Sequence, residues 1–453
     1  GAQVGDVCES DADCDVSHVC DITQTNGYCR PITCLIGCSG MSGACVELSD
    51  YGEQCWARCD QLEDAPREGF RCETVGEFEV MIPEDASTQI HEHDALLTAL
   101  DVTCDSTPGP GGENGPEHEF TFSVGPDDNG FLMVPHALGT LVRPTALITP
   151  SGEEIDLVYD YRHHNARYSD GSLLIGAGVY GAIGFNWAIQ VPYAPQYEAM
   201  LSEGEYTLRV AGDDEICFYM VPSQGKQTID LNLYFTNVRG LSAVNAPFDE
   251  DFQAVLSKVE AIYAQQGLAL GNVRYLNVST ESSTEFAIIR NLPDARKLMG
   301  WGRARSEELR DNLSVDIFMV DSIVIQGGTL LGISGGVPGP AGLHGSSSNG
   351  LIFNSSLIGV DNAMVAHIMA HEVGHYLGLR HTTEIVRDGE FERLVGITDP
   401  LEDTIECENV AMLAFDCPDA SNLMFPAAPQ RADFLPEITE GQKFVLERNP
   451  LTY

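Results

Sequence analysis

One stretch of this 453-residue sequence gathers groups able to hold a metal ion and to move a proton: His371-Glu372-Val373-Gly374-His375-Tyr376-Leu377-Gly378-Leu379-Arg380-His381. On a helix, residues four apart lie one turn apart on the same face, so His371 and His375 can offer imidazoles to a single ion. Glu372 projects from a neighbouring position, close enough to reach a water on that ion without ligating it. Gly378 can adopt positive φ, which ends a helix and turns the chain back. That turn brings His381 round as a third ligand. Three neutral imidazoles and a water make an open tetrahedral zinc (Zn2+) site of the catalytic type. The ion would bring the pKa of its water towards ~7 and polarise a carbonyl. Glu372 is then placed to accept the proton as general base and deliver it to a leaving amine. The expected reaction is hydrolysis of a peptide bond in a protein or peptide substrate. The long motif is far more specific than its first five residues alone. His367, one turn before His371, reads as a flanking residue.

The elements that must position these groups follow from periodicity. Residues 362–377 read as the helix carrying the motif, with Val365, Ile368, Met369, Val373 and Leu377 available for a core. The surrounding segment alternates strands (229–236, 273–278, 315–324, 328–336 and 350–354) with a helix over 249–265. A last helix over 440–448 has Thr439 and Gln442 placed for a capping box. Earlier in the chain, short runs at 119–124, 130–134, 145–149, 154–159, 182–191 and 204–210 read as strands at sandwich-like spacing. Residues 105–116 read as an exposed loop. Cys104 and Cys217, the only cysteines of that region, are expected to pair. His163 and His164 are adjacent and would face opposite sides of a strand, which argues against a shared metal. Ten of the fourteen cysteines precede residue 73. Such density marks a loop-rich module held by disulfides in an oxidising compartment. The expected organisation is therefore multidomain: a disulfide-rich module (1–73), an all-β sandwich (74–225) and an α/β zinc-peptidase domain (226–453).

The formal charge of −44 and pI near 4.3 argue against nucleic acid and against anionic lipid as partners. No apolar run reaches the ~18 residues of a membrane span, and the chain reads as a mature or trimmed form. Nothing in the sequence sets an oligomeric state. The cysteine-rich segment resembles those near the N-termini of bacterial surface lipoproteins and secreted proteins, which implies a secreted or cell-surface, bacterial extracellular setting.

The histidine motif is that of the metzincins, whose second signature is a methionine turn beneath the metal. Ser421-Asn422-Leu423-Met424-Phe425-Pro426 resembles that turn, and the resemblance implies that Met424 is an apolar floor under the histidines. It further implies a five-stranded, mostly parallel sheet with one antiparallel edge strand above the cleft. Residues 328–336 occupy that place in the order, and such an edge can pair with an extended peptide. The pappalysin-like group is the most similar within the family: Asp399-Pro400-Leu401-Glu402-Asp403-Thr404, followed by Cys407 and Cys417, resembles its acidic, cysteine-bearing segment. That likeness implies a Cys407–Cys417 disulfide and calcium (Ca2+) on Asp399, Asp403 and Thr404. Two departures stand out. Pro426 holds a position where some metzincins carry tyrosine, and Thr382 follows the third histidine. The competing reading is a non-catalytic extracellular binding or adhesion protein that keeps a zinc site. The intact Glu372 argues against it.

Overall fold

The computed structural model describes most of residues 102–157, 187–300, 313–383, 399–405, 417–426 and 435–452, and parts of residues 4–83. Two compact units emerge. The first comprises Gly1–Ala99 with two short later pieces, and the second holds the rest of the chain. In the first, antiparallel hairpins surround a small core of Tyr28, Trp56, Phe70, Val80 and Ile82, and the disulfides Cys14–Cys29 and Cys59–Cys72 tie its loops. Its hairpin Phe70–Val75/Phe78–Pro83 runs through residue 73, so this unit extends beyond the cysteine-dense stretch.

The second unit contains a mixed five-stranded sheet. Its strands are β1 (Thr228–Phe235), β2 (Ala269–Asn277), β3 (Val315–Val320), β4 (Gly332–Ser334) and β5 (Leu351–Asn354), in the spatial order β2-β1-β3-β5-β4. Four strands are parallel and β4 is the antiparallel edge. Helix α1 (Glu250–Ala264), capped by Asp249, and helix α3 (Asn362–Tyr376), capped by Asp361, pack together over this sheet. The Tyr263 hydroxyl on α1 donates to the Ala370 carbonyl on α3 at 2.7 Å. Helix α2 (Leu292–Met299), unforeseen in the sequence, joins a second small core with Phe286, Phe318 and Ile352. Helix α4 (Glu440–Glu447) carries the capping box of Thr439 and Gln442.

Two expected strands are each divided. The run 315–324 breaks at Asp321: β3 stays in the main sheet, and Ser322–Ile325 pairs instead with Gly328–Leu330. Likewise 328–336 breaks at Leu331, so only Gly332–Ser334 serves as the edge strand. Sequence periodicity is blind to such breaks, because both halves keep extended backbone while their partners change.

Among the described residues the all-β part forms two antiparallel sheets. One orders Ile189–Val191, Gly130–His136, Ile216–Ser223 and Thr103–Asp105, and the other Glu154–Asp156, Arg143–Ile148, Gly204–Ala211, Gly115–Val124 and Gly109–Gly112. Phe131 against Tyr206 and Phe120 against Phe218, each pair 5.2 Å between ring centres, close the two sheets on each other. Cys104 and Cys217 sit opposite each other on neighbouring strands and form a disulfide. The expected loop at 105–116 instead contains Gly109–Gly112 as an edge strand. Main-chain pairing needs no side chains, and Pro110 is tolerated at an edge. The strand Ile216–Ser223 escaped notice because it does not alternate.

The reason is burial on both faces. In Gly130–His136, Phe131 and Met133 point into the sandwich core, while Leu132 and Val134 join the core beneath the α/β sheet. Ile216–Ser223 does the same with Ile216 and Phe218 on one side and Tyr219 and Val221 on the other. The sandwich and the α/β part therefore share strands as a common wall. Leu132→Ala and Met133→Ala are each expected to cost about 2–5 kcal/mol, although they open cavities in different cores. Chemical denaturation followed by far-ultraviolet circular dichroism and by hydrogen exchange in the sandwich strands is expected to show one shared midpoint. Two separated midpoints would mean that the halves fold independently.

Candidate metal centre

Helix α3 delivers the first two histidines from consecutive turns, and its end delivers the third. Gly378 has φ +101°. The Gly378 amide donates to the His375 carbonyl and the Leu379 amide to the Gly374 carbonyl, each at 2.9 Å. This is the paired closure of a Schellman motif, whose turn residue takes positive φ, which glycine adopts without a Cβ penalty. The reversed chain carries His381 back over α3. His371 Nε2 lies 3.1 Å and His375 Nε2 lies 3.0 Å from His381 Nε2.

Two backbone carbonyls decide what these nitrogens are. His371 Nδ1 lies 2.7 Å from the Leu423 carbonyl, and His375 Nδ1 lies 2.7 Å from the Leu379 carbonyl. A carbonyl can only accept, so each Nδ1 carries the proton and each Nε2 presents a lone pair. Desolvation is the main cause that lowers the pKa of His371 far below its ordinary value and that of His375 to about 3, so both rings stay neutral. An Nε2 lone pair on His381 would complete a set of three that repel unless something positive joins them. Nitrogens held at ~2.0–2.1 Å by one tetrahedral ion lie about 3.3 Å apart. The observed spacing fits a small divalent cation, and the His371/His375/His381 cluster could bind a metal ion.

Glu372 is buried, and that burial raises its carboxyl to about 8. A Cβ placed on Gly332 would overlap this carboxyl, so the edge strand β4 passes directly over it. Nothing in the sequence pointed to that role for Gly332. His367 stacks near His371 with ring centres 6.2 Å apart, and desolvation lowers it to about 4.

Beneath the histidines, a Cβ on Gly374 would lie 2.8 Å from Met424 Sδ. The glycine within the motif is thus what lets Met424 come close. The turn holding Met424 is fixed by Asn422: its Oδ1 accepts from the Met424 amide at 2.8 Å and from Gln442 Nε2 at 2.8 Å. The far end of α3 is tied to the sheet by a buried polar set. The Tyr376 hydroxyl donates to Asn349 Oδ1 at 2.6 Å, Asn349 donates to Asp316, and Asp316 also meets His344 Nδ1 at 2.9 Å and Asn232 Nδ2 at 2.7 Å. A single acid inside the apolar run of β3 was the sequence signal for this set.

The acidic segment is placed beside the third ligand, since the Asp399 amide donates to the His381 carbonyl at 2.8 Å. Asp399 Oδ1 accepts from the Thr404 hydroxyl at 2.5 Å, and both oxygens of Asp403 are taken up by Thr439 Oγ1 and the Gly441 amide at the start of α4. Asp399 Oδ2 is buried without a hydrogen-bond partner among the described residues, and burial raises this carboxyl to about 7. Of the three residues expected to hold calcium, Asp399 and Thr404 are thus bonded to each other and Asp403 is bonded to the start of α4. Cys417 is disulfide-bonded, while Cys407, His163 and His164 lie outside the described residues.

The shifts set the pH dependence of the metal-free protein. His375 and His367 are depressed below the ordinary 6.5, so the unfolded chain binds their protons more readily and stability falls as pH drops from about 6.5 towards 3. Glu372 is raised from 4.5 to about 8, so its contribution is lost as pH rises through that window. Each group contributes a slope of up to ~1.4 kcal/mol per pH unit. With three depressed histidines (His367, His371 and His375) opposing two raised carboxyls (Glu372 and Asp399), stability is expected to peak near pH 6.5, and Glu372→Gln is expected to remove the part of the alkaline decline that lies between about pH 7 and 8. Melting curves in chelator across pH test this, and an unchanged alkaline limb in Glu372→Gln would refute the assignment. No protein-family model and no curated protein sequence matches this chain, so the functional reading rests on the geometry itself.

Proposed function

We propose that this protein is a secreted, zinc-dependent endopeptidase with a metzincin-type catalytic unit most similar to the pappalysin-like group. The convergence of three Nε2 atoms, two of them with lone pairs aimed by main-chain carbonyls, beside the buried Glu372 carboxyl supports this reading above all else. His371, His375 and His381 would hold the ion. Bound zinc supplies Lewis acidity, acidifying a water and polarising the scissile carbonyl. A nearby cation lowers the pKa of Glu372 from its metal-free position, so the carboxylate is available as base. Glu372 accepts the proton and passes it to the departing amine. Met424 and its turn act as the methionine turn, an apolar floor contributing no ligand. The free side of β4 offers main-chain groups to an extended substrate chain, as an edge strand can. The disulfides and the lack, among the described residues, of any helix long and apolar enough to cross a membrane agree with an extracellular setting.

The test is cleavage of a denatured protein and a peptide library by the wild type and by Glu372→Ala, with zinc content measured in both. Cutting by the wild type alone, with zinc in both, is the expected outcome, with a loss of at least ~100-fold in the variant. Equal cutting by both would remove Glu372 from the mechanism, and a wild type that takes up no zinc would overturn the proposal.

A further inference from the structure

The chain that carries His381 is held between two flanks, and both flanks rest on one short piece of the all-β part. On the near side is the turn at Gly378. A Cβ there would lie 2.9 Å from Gln190 Oε1. Gln190 is almost fully buried and is itself locked: its Nε2 donates to the Val445 carbonyl at 2.8 Å, and its Oε1 accepts from Asn449 Nδ2 at 3.0 Å. Next in the turn, the buried Arg380 guanidinium lies over the ring of Tyr193, 5.4 Å from its centre. On the far side, Asp399 bonds the His381 carbonyl, and the following Pro400 carbonyl accepts from Gln196 Nε2 at 2.7 Å. Gln190, Tyr193 and Gln196 lie within seven residues of one another, at the strand Ile189–Val191 and the turn after it.

We propose that Gln190 and Tyr193 are positioning residues for the metal centre, and that the all-β part is a working component of it. The first two ligands need no such help, because they project from one rigid helix. The third comes from a loop, and loops hold a ligand only as well as their neighbours hold them. Tyr193 supplies an aromatic face to a desolvated cation, an attraction that fixes Arg380 next to His381. Gln190 fills the space left by the missing side chain of Gly378 and joins the turn to the end of α4.

This inference rests on the metal-centre reading but not on proteolysis, so its test reads metal. Cobalt(II) is loaded into the full chain as a visible-absorbing substitute for zinc, and zinc affinity is measured by chelator competition. Gln190→Ala and Tyr193→Leu are expected to weaken zinc about 10–100-fold and to change the cobalt absorption bands. Leu208→Ala, a core change in the sandwich away from the turn, serves as the control for lost stability alone. It is expected to lower the melting temperature and leave affinity and bands as in the parent. Gln196→Ala, at an exposed site where folding is not at risk, is expected to shift the bands in the same direction by less. Parent-like affinity and bands in Gln190→Ala and Tyr193→Leu would overturn the proposal, as would an equal loss in Leu208→Ala. A parent that binds neither metal overturns it together with the proposed function, whereas a parent that binds metal without cutting peptides sinks only the latter.

Discussion

Two hydrogen bonds from imidazole Nδ1 to main-chain carbonyls govern this site. A histidine left to itself can present either nitrogen, and a partly buried one has no water to settle the matter. Leu423 settles it for His371 and Leu379 for His375. Each carbonyl is in place for its own reason. Leu379 follows the Schellman closure of α3, which depends on Gly378. Leu423 lies in a turn held by Asn422 and, through it, by Gln442 of α4. The two glycines of the motif thus act at a distance from the metal. Gly378 reverses the chain, and Gly374 admits Met424 under the helix.

Burial is what shifts the protonation of these groups, and it raises the cost of every polar atom nearby. A buried acid without partners would take up a proton or unfold its surroundings. Asp316 avoids both by meeting Asn232, His344 and Asn349, and through Asn349 it reaches Tyr376, the neighbour of His375. The C-terminal end of α3 is therefore anchored to the sheet by polar contacts, while its middle is anchored by apolar ones such as Val365 and Met369. Glu372 is a buried acid that feels the charge of His381 and lies under a strand whose glycine leaves room for it.

The same economy shapes the larger architecture. Strands Gly130–His136 and Ile216–Ser223 bury alternate side chains in two different cores, so one wall serves both the sandwich and the α/β part. A short segment of that wall reaches the loop of the third ligand. The edge strand is correspondingly brief, since the chain on its other side leaves to pair with Ser322–Ile325.

The sequence by itself determined the three histidines that could bind an ion, most of the strands and helices around them, and the turn at Gly378. These depend on local spacing: four residues make one helical turn, and a residue without Cβ permits positive φ. It also allowed the Cys104–Cys217 pair, because no other cysteine lay within that region. Only the tertiary structure decided which carbonyls orient His371 and His375, that Gly332 lies over Glu372, that Asp403 caps α4, and that Gln190 and Tyr193 reach the third ligand's loop. Apart from Leu379 and His375, which are four positions apart, those contacts join residues tens to hundreds of positions apart. Their existence depends on how strands pair and layers stack, and no periodicity along the chain records that. The two-faced strands make the point most directly. Gly130–His136 was visible as a strand and Ile216–Ser223 was not, and for both, which core each side chain meets is settled only when both cores are built.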